Sequence, residues 1–120
     1  MGAFEPILAE DGRLVELMIE ANQVALRNPH EAAQTLRTQV LLRARANAQS
    51  AGRTQVNHPV AVALRTRLCS LIAERAESTA ALATALDGDD PTALSRALRR
   101  VARVATDLRA LEGDIQRARQ

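Results

Sequence analysis

Apolar residues recur every three or four positions along most of the chain, the period of an amphipathic helix. Over residues 91–118, Leu94, Leu98, Val101, Ala105, Leu108 and Ile115 trace one seam, widened by Val104 and Leu111. Residues 59–87 repeat the pattern with Leu64, Leu68, Leu71, Ile72, Leu82 and Leu86, and residues 29–51 with Ala33, Leu36, Val40, Ala44 and Ala48. A shorter stretch, residues 11–27, carries Leu14, Leu17, Met18, Ala21, Val24 and Ala25.

Punctuation separates these stretches. Asn28-Pro29 with Glu31, His58-Pro59 and Asp90-Pro91 each place a capping residue before a proline, which a helix tolerates in its first turn. Gly52 and Gly88 fall where the preceding helices should stop. Four helices, about 11–27, 29–51, 59–87 and 91–118, are predicted within a single domain spanning 1–120. Short links make neighbours antiparallel, so the expected fold is all-α: an antiparallel up-down four-helix bundle with a long C-terminal helical hairpin. The hairpin should outreach the shorter first helix and leave apolar surface that a second copy of the chain would cover.

The first helix has one apolar line too many. Beside its core face, Val15, Ile19 and Leu26 form a second line. A helix apolar over most of its circumference is buried on more than one side, so this line is either wrapped core or an interface.

Composition reinforces the helical reading. Phe4 is the single aromatic residue, and hydrophobic residues make up 47% of the 120. A core made of Leu, Val, Ile and Ala favours helices over sheet. With charged residues at 25%, the chain is balanced like a folded domain. Cys69 is alone, which excludes an internal disulfide and cysteine zinc frameworks, and it reads as a small apolar filler.

Charge is laid out in blocks. Residues 1–31 carry −4, 32–67 carry +6, 68–91 carry −4 and 92–120 carry +4, for a total of +2. In an antiparallel bundle acidic and basic blocks then lie side by side. All sixteen basic residues are arginine, a bias that GC-rich, bacterial-like coding also produces. Two arginine groups are candidates for anion binding: Arg43, Arg45, Arg53, Arg65 and Arg67 around the second link, and Arg96, Arg99, Arg100 and Arg103 on the last helix. Arginine presents a planar fork that matches phosphate.

Catalytic chemistry has no visible seat. There is no phosphate loop, nucleophile elbow or dinucleotide fingerprint, and His30 and His58 stand alone at helix starts, without metal-ligand spacing. Glu16 and Glu20 read as a solvated pair. No catalytic residue, metal or cofactor is therefore expected. In helix size and in the Asn28-Pro29 and Asp90-Pro91 breaks, the chain loosely resembles the small helical chaperones of flagellar and type III export systems. Those features are general to capped helices and assign no family.

The expected function is a non-enzymatic helical interaction or assembly module, working through protein-protein contacts as a homodimer or with another helical protein. Two alternatives remain: a sensor bundle binding an anionic small ligand, and a nucleic-acid accessory protein using an arginine cluster. Nucleic acid is disfavoured, because no aromatic platform accompanies the arginines. The absence of a long apolar run argues against membrane insertion and for a cytoplasmic protein, or an extracytoplasmic one if a signal or anchor lies upstream.

Overall fold

Three capped prolines open three of the helices. Asn28 Oδ1 accepts from the Glu31 amide at 3.1 Å, His58 Nδ1 from Val60 N at 3.2 Å, and Asp90 Oδ1 from Thr92 N at 2.9 Å. Each satisfies an amide that the first helical turn leaves without a partner. The computed structural model describes residues 2–88 and 90–119. It is 91% helix, and no strand occurs among the described residues. The helices are α1 (Glu5–Ala25), α2 (Pro29–Thr35), α3 (Leu42–Arg53), α4 (Pro59–Asp87) and α5 (Pro91–Arg119), and a short 3₁₀ turn, Gly2–Phe4, precedes them. A π-helical stretch, Leu36–Leu41, joins α2 to α3 with right-handed helical backbone at both joints, so the chain forms four rods.

Two of these features differ from the sequence expectation. The first helix begins at Glu5, not near Asp11 or Gly12. Asp11 and Gly12 resemble a helix start, but Pro6 already occupies the first turn and Asp11 is committed to an ion pair inside the protein. The second difference is the π-helical stretch. Within it Thr38 donates its hydroxyl to the Gln34 carbonyl at 2.9 Å, a bond that Thr66 and Thr106 also make inside regular α-helix. Ala33, Leu36, Val40 and Ala44 are buried as the pattern requires, and Asn47 and Ala51 continue that face at ordinary helical spacing, which leaves Ala48 half-buried.

Helix α4 is the hub. It packs along α5, α3, α2 and the π-helical stretch, while α1 packs chiefly on α2, the π-helical stretch and α3. The molecule measures 47 × 22 × 18 Å, as expected for rods of up to 29 residues lying side by side.

The core is divided in two along this axis. One apolar cluster holds Leu14, Met18, Leu36, Val40, Leu82 and Leu86, and the other holds Phe4, Ile7, Leu64, Leu68, Ile72, Leu108, Leu111 and Ile115. On α1, α3 and α4 the buried polar residues fall at the join: Asp11, Asn47, Arg75, Ser78 and Thr79. Each has a partner. Arg75 Nε donates to Asp11 Oδ1 at 2.9 Å, Asn47 Nδ2 to the Ile7 carbonyl at 3.0 Å, and Ser78 and Thr79 donate their hydroxyls to the Arg75 carbonyl. A buried polar layer is tolerated only when satisfied in this way.

Candidate interaction surface

The second apolar line of α1 lies at the surface. Ile19 is 55% exposed and Leu26 90% exposed, while Val15 is half-buried. Their opposite number is Leu98 of α5, 39% exposed. Between the two helices opens a trough of about 730 Å³, with Ala85 and Leu86 of α4 and Leu94 of α5 completing its apolar lining. Its polar edge is formed by Asn22, Gln23 and Asp90.

The trough follows from how α1 is held. At its N-terminal half α1 is tied to three neighbours: Glu10 to Arg43 of α3, Asp11 to Arg75 of α4, and Glu5 to Arg119 of α5. At its C-terminal half α1 rests on the adjoining rod and leaves the side facing α5 uncovered. Thr79 of α4 touches Met18 of α1, and Glu74 of α4 pairs with Arg100 of α5. Ile19 faces Leu94 and Leu98 across the trough from the opposite lip.

The candidate arginines are spread over several surfaces. Arg43 forks onto Glu10, with Nε to Oε2 at 3.0 Å and the terminal nitrogen to Oε1 at 2.8 Å. This holds Glu10 below its ordinary carboxylate value, although desolvation pulls the other way. Arg65 closes the end of α3 by donating to the Thr54 carbonyl at 2.6 Å and to the Gly52 carbonyl. Arg67 binds Asp114 at 2.6 Å, and Arg100 binds Glu74. Arg99 reaches only Ser95 of its own helix. Among the described residues, no acid lies within ion-pair distance of Arg45, Arg53, Arg96, Arg99 or Arg103. Arg45 and Arg53 lie on α3 and the other three on α5, so the unpaired arginines form no single cradle.

Both histidines have structural partners. His30 Nδ1 lies 3.0 Å from Asp87, which also pairs with Arg37, and His58 caps α4. Cys69 is half-buried against the apolar cluster that holds Leu68 and Ile72. Among the described residues no group of three or more His, Cys, Asp or Glu side chains could hold a metal ion, and no helix is long and apolar enough to cross a membrane.

Arg75 is the residue the sequence pattern passes over. The seam of α4 contains a gap between Ile72 and Leu82, and Arg75 and Thr79 fill it at helical spacing. A lone arginine among five acids, in phase with a core stripe, was the available signal. No known protein family, curated protein or solved structure matches the chain.

Proposed function

We propose that the chain is a non-enzymatic assembly module whose working surface is the α1–α5 trough, which takes an apolar face of another protein, in the first instance a second copy of the chain. The observation that carries this is the exposure of Ile19, Leu26 and Leu98 along one continuous trough. Contiguous apolar surface rimmed by polar residues marks an interaction site, and a groove between two helices fits an amphipathic partner surface. The up-down-up-down arrangement with a long C-terminal hairpin belongs to the same proposal. It is supported by the order of cross-helix pairs, Asn47 to Ile7, Arg75 to Asp11 and Arg67 to Asp114.

Recognition of an anionic small ligand has less support. Among the described residues the trough is lined by no arginine, and the groove that contains Arg96 and Arg100 is shared with Glu77 and Asp90. Nucleic-acid binding is likewise weakened, because Arg43, Arg65 and Arg67 are engaged internally.

Light scattering coupled to size exclusion, on the wild type and on Ile19→Glu, tests the proposal. The expected result is a wild-type dimer and a folded monomeric variant. A dimer that survives Ile19→Glu would move the interface away from the trough.

A further inference from the structure

Away from the trough, a second surface carries charge of one sign. Residues 32–73 contain six arginines and neither Asp nor Glu, and they supply α3 and the first half of α4, which pack on each other. Three of the six are neutralised by acids of other elements: Arg37 by Asp87, Arg43 by Glu10 and Arg67 by Asp114. Arg65 reaches from α4 to the Thr54 and Gly52 carbonyls, which leaves its positive charge at the seam with α3. Arg45 and Arg53 are exposed and, among the described residues, have no ion-pair partner. With Leu42 and Gln49 they follow one face of α3 in steps of three and four residues, the two arginines about 12 Å apart. Leu42 is 61% exposed, and Val62, one helical step from Arg65 on α4, is 43% exposed. The next acids along α4 serve its other side: Glu74 pairs with Arg100 of α5, and Glu77 lines a groove with Arg96 and Arg100.

We infer that this α3–α4 face docks an acidic amphipathic segment of a partner protein, with carboxylates on Arg45 and Arg53 and apolar side chains against Leu42 and Val62. The guanidinium fork matches a carboxylate, and arginine is enriched where proteins meet. Two acids spaced two helical turns apart, about 11 Å, match the interval between the arginines. The face itself offers no acid to repel such a segment or to compete for its place. A nucleic-acid backbone fits less well. It gives Leu42 and Val62 nothing to pack on, and the single aromatic side chain, Phe4, is buried in the core and stacks no base. This surface is separate from the trough and does not depend on what fills it.

The probe is a fluorescein-labelled helical peptide with Glu and Leu on one face, read by fluorescence anisotropy at low salt. Binding is expected, and Arg45→Glu and Arg53→Glu should each weaken it by about tenfold, because like charges then face each other. Arg109→Glu makes the same change in net charge on the α1–α5 side, where Arg109 shares a groove with Glu5 and Leu8, and should leave binding within about twofold. All three arginines are exposed, so circular dichroism should report unchanged helicity in each variant. Equal weakening by all three would reduce the effect to net charge and overturn the assignment. Binding that survives both Arg45→Glu and Arg53→Glu would put the peptide elsewhere and overturn it as well. A single-stranded oligonucleotide or phosphatidylserine vesicles bound more tightly than the peptide, through the same two arginines, would assign the face to phosphate instead. No binding of the peptide at millimolar concentration would exclude an acidic segment as the partner. None of these outcomes alters the Ile19→Glu test of the trough.

Discussion

Arg75 of α4 and Asp11 of α1, 64 residues apart in the chain, form an ion pair inside the bundle, with Nε to Oδ1 at 2.9 Å and a second contact from the terminal nitrogen to Oδ2 at 3.3 Å. Arg75 is 2% exposed and Asp11 6%. Buried pairs stabilise less than their geometry suggests, because desolvation offsets the attraction. Their removal is asymmetric, however. Arg75→Ala or Asp11→Ala alone should cost about 3–5 kcal/mol by leaving one buried charge unmatched. The double replacement Asp11→Leu with Arg75→Met should restore most of that loss, as read from urea midpoints. A double variant as unstable as the singles would show that the layer contributes more than mutual neutralisation.

Surface and core positions on the same helix should separate cleanly. Leu14 is fully buried and Leu26 almost fully exposed. Leu14→Ala should destabilise the fold by about 2–5 kcal/mol. Leu26→Glu should leave the unfolding free energy of the monomer within about 0.5 kcal/mol of the wild type, while reducing self-association. Equal destabilisation by both would mean that Leu26 is covered within the monomer.

Acid should unfold the protein through a few identifiable carboxylates. His30 and then Arg37 hold Asp87 below its ordinary value of 3.8, and Arg67 and then Arg117 do the same for Asp114. Arg43 holds Glu10 below its ordinary value of 4.5. With folded values depressed, the unfolded chain binds more protons in this range, so stability rises with pH there. Their contribution is complete above the ordinary values and is lost as pH falls through the lowered ones. Denaturation midpoints should be flat near neutrality and fall below about pH 4.5. Asp87→Asn and Asp114→Asn should flatten that fall, and an unchanged slope would assign acid sensitivity to other groups.

The cap of α2 offers a local test. Asn28→Ala removes the acceptor of the Glu31 amide and should cost about 1 kcal/mol, whereas Asn28→Asp should be close to neutral. Loss of helicity confined to residues 29–35 would appear as faster amide exchange there.

Helix number, helix starts at Pro29, Pro59 and Pro91, and most core positions were legible in the sequence, because periodicity and capping act over a few residues. So was the second apolar line of α1, but not its fate. Whether Val15, Ile19 and Leu26 are wrapped or bare depends on where α5 lies, which no local pattern encodes. The same limit applies to the arginines. Arg43, Arg65 and Arg67 resembled free anion binders until chain folding brought Glu10, the end of α3 and Asp114 to them.

The sequence alone therefore determined an all-helical chain, its breaks and its apolar seams, since these follow from backbone propensity and local spacing. Only the tertiary structure decided the early start of α1, the polar layer at Asp11 and Arg75, and the open trough. Each of these depends on partners distant in the chain, where packing and desolvation outweigh local preference.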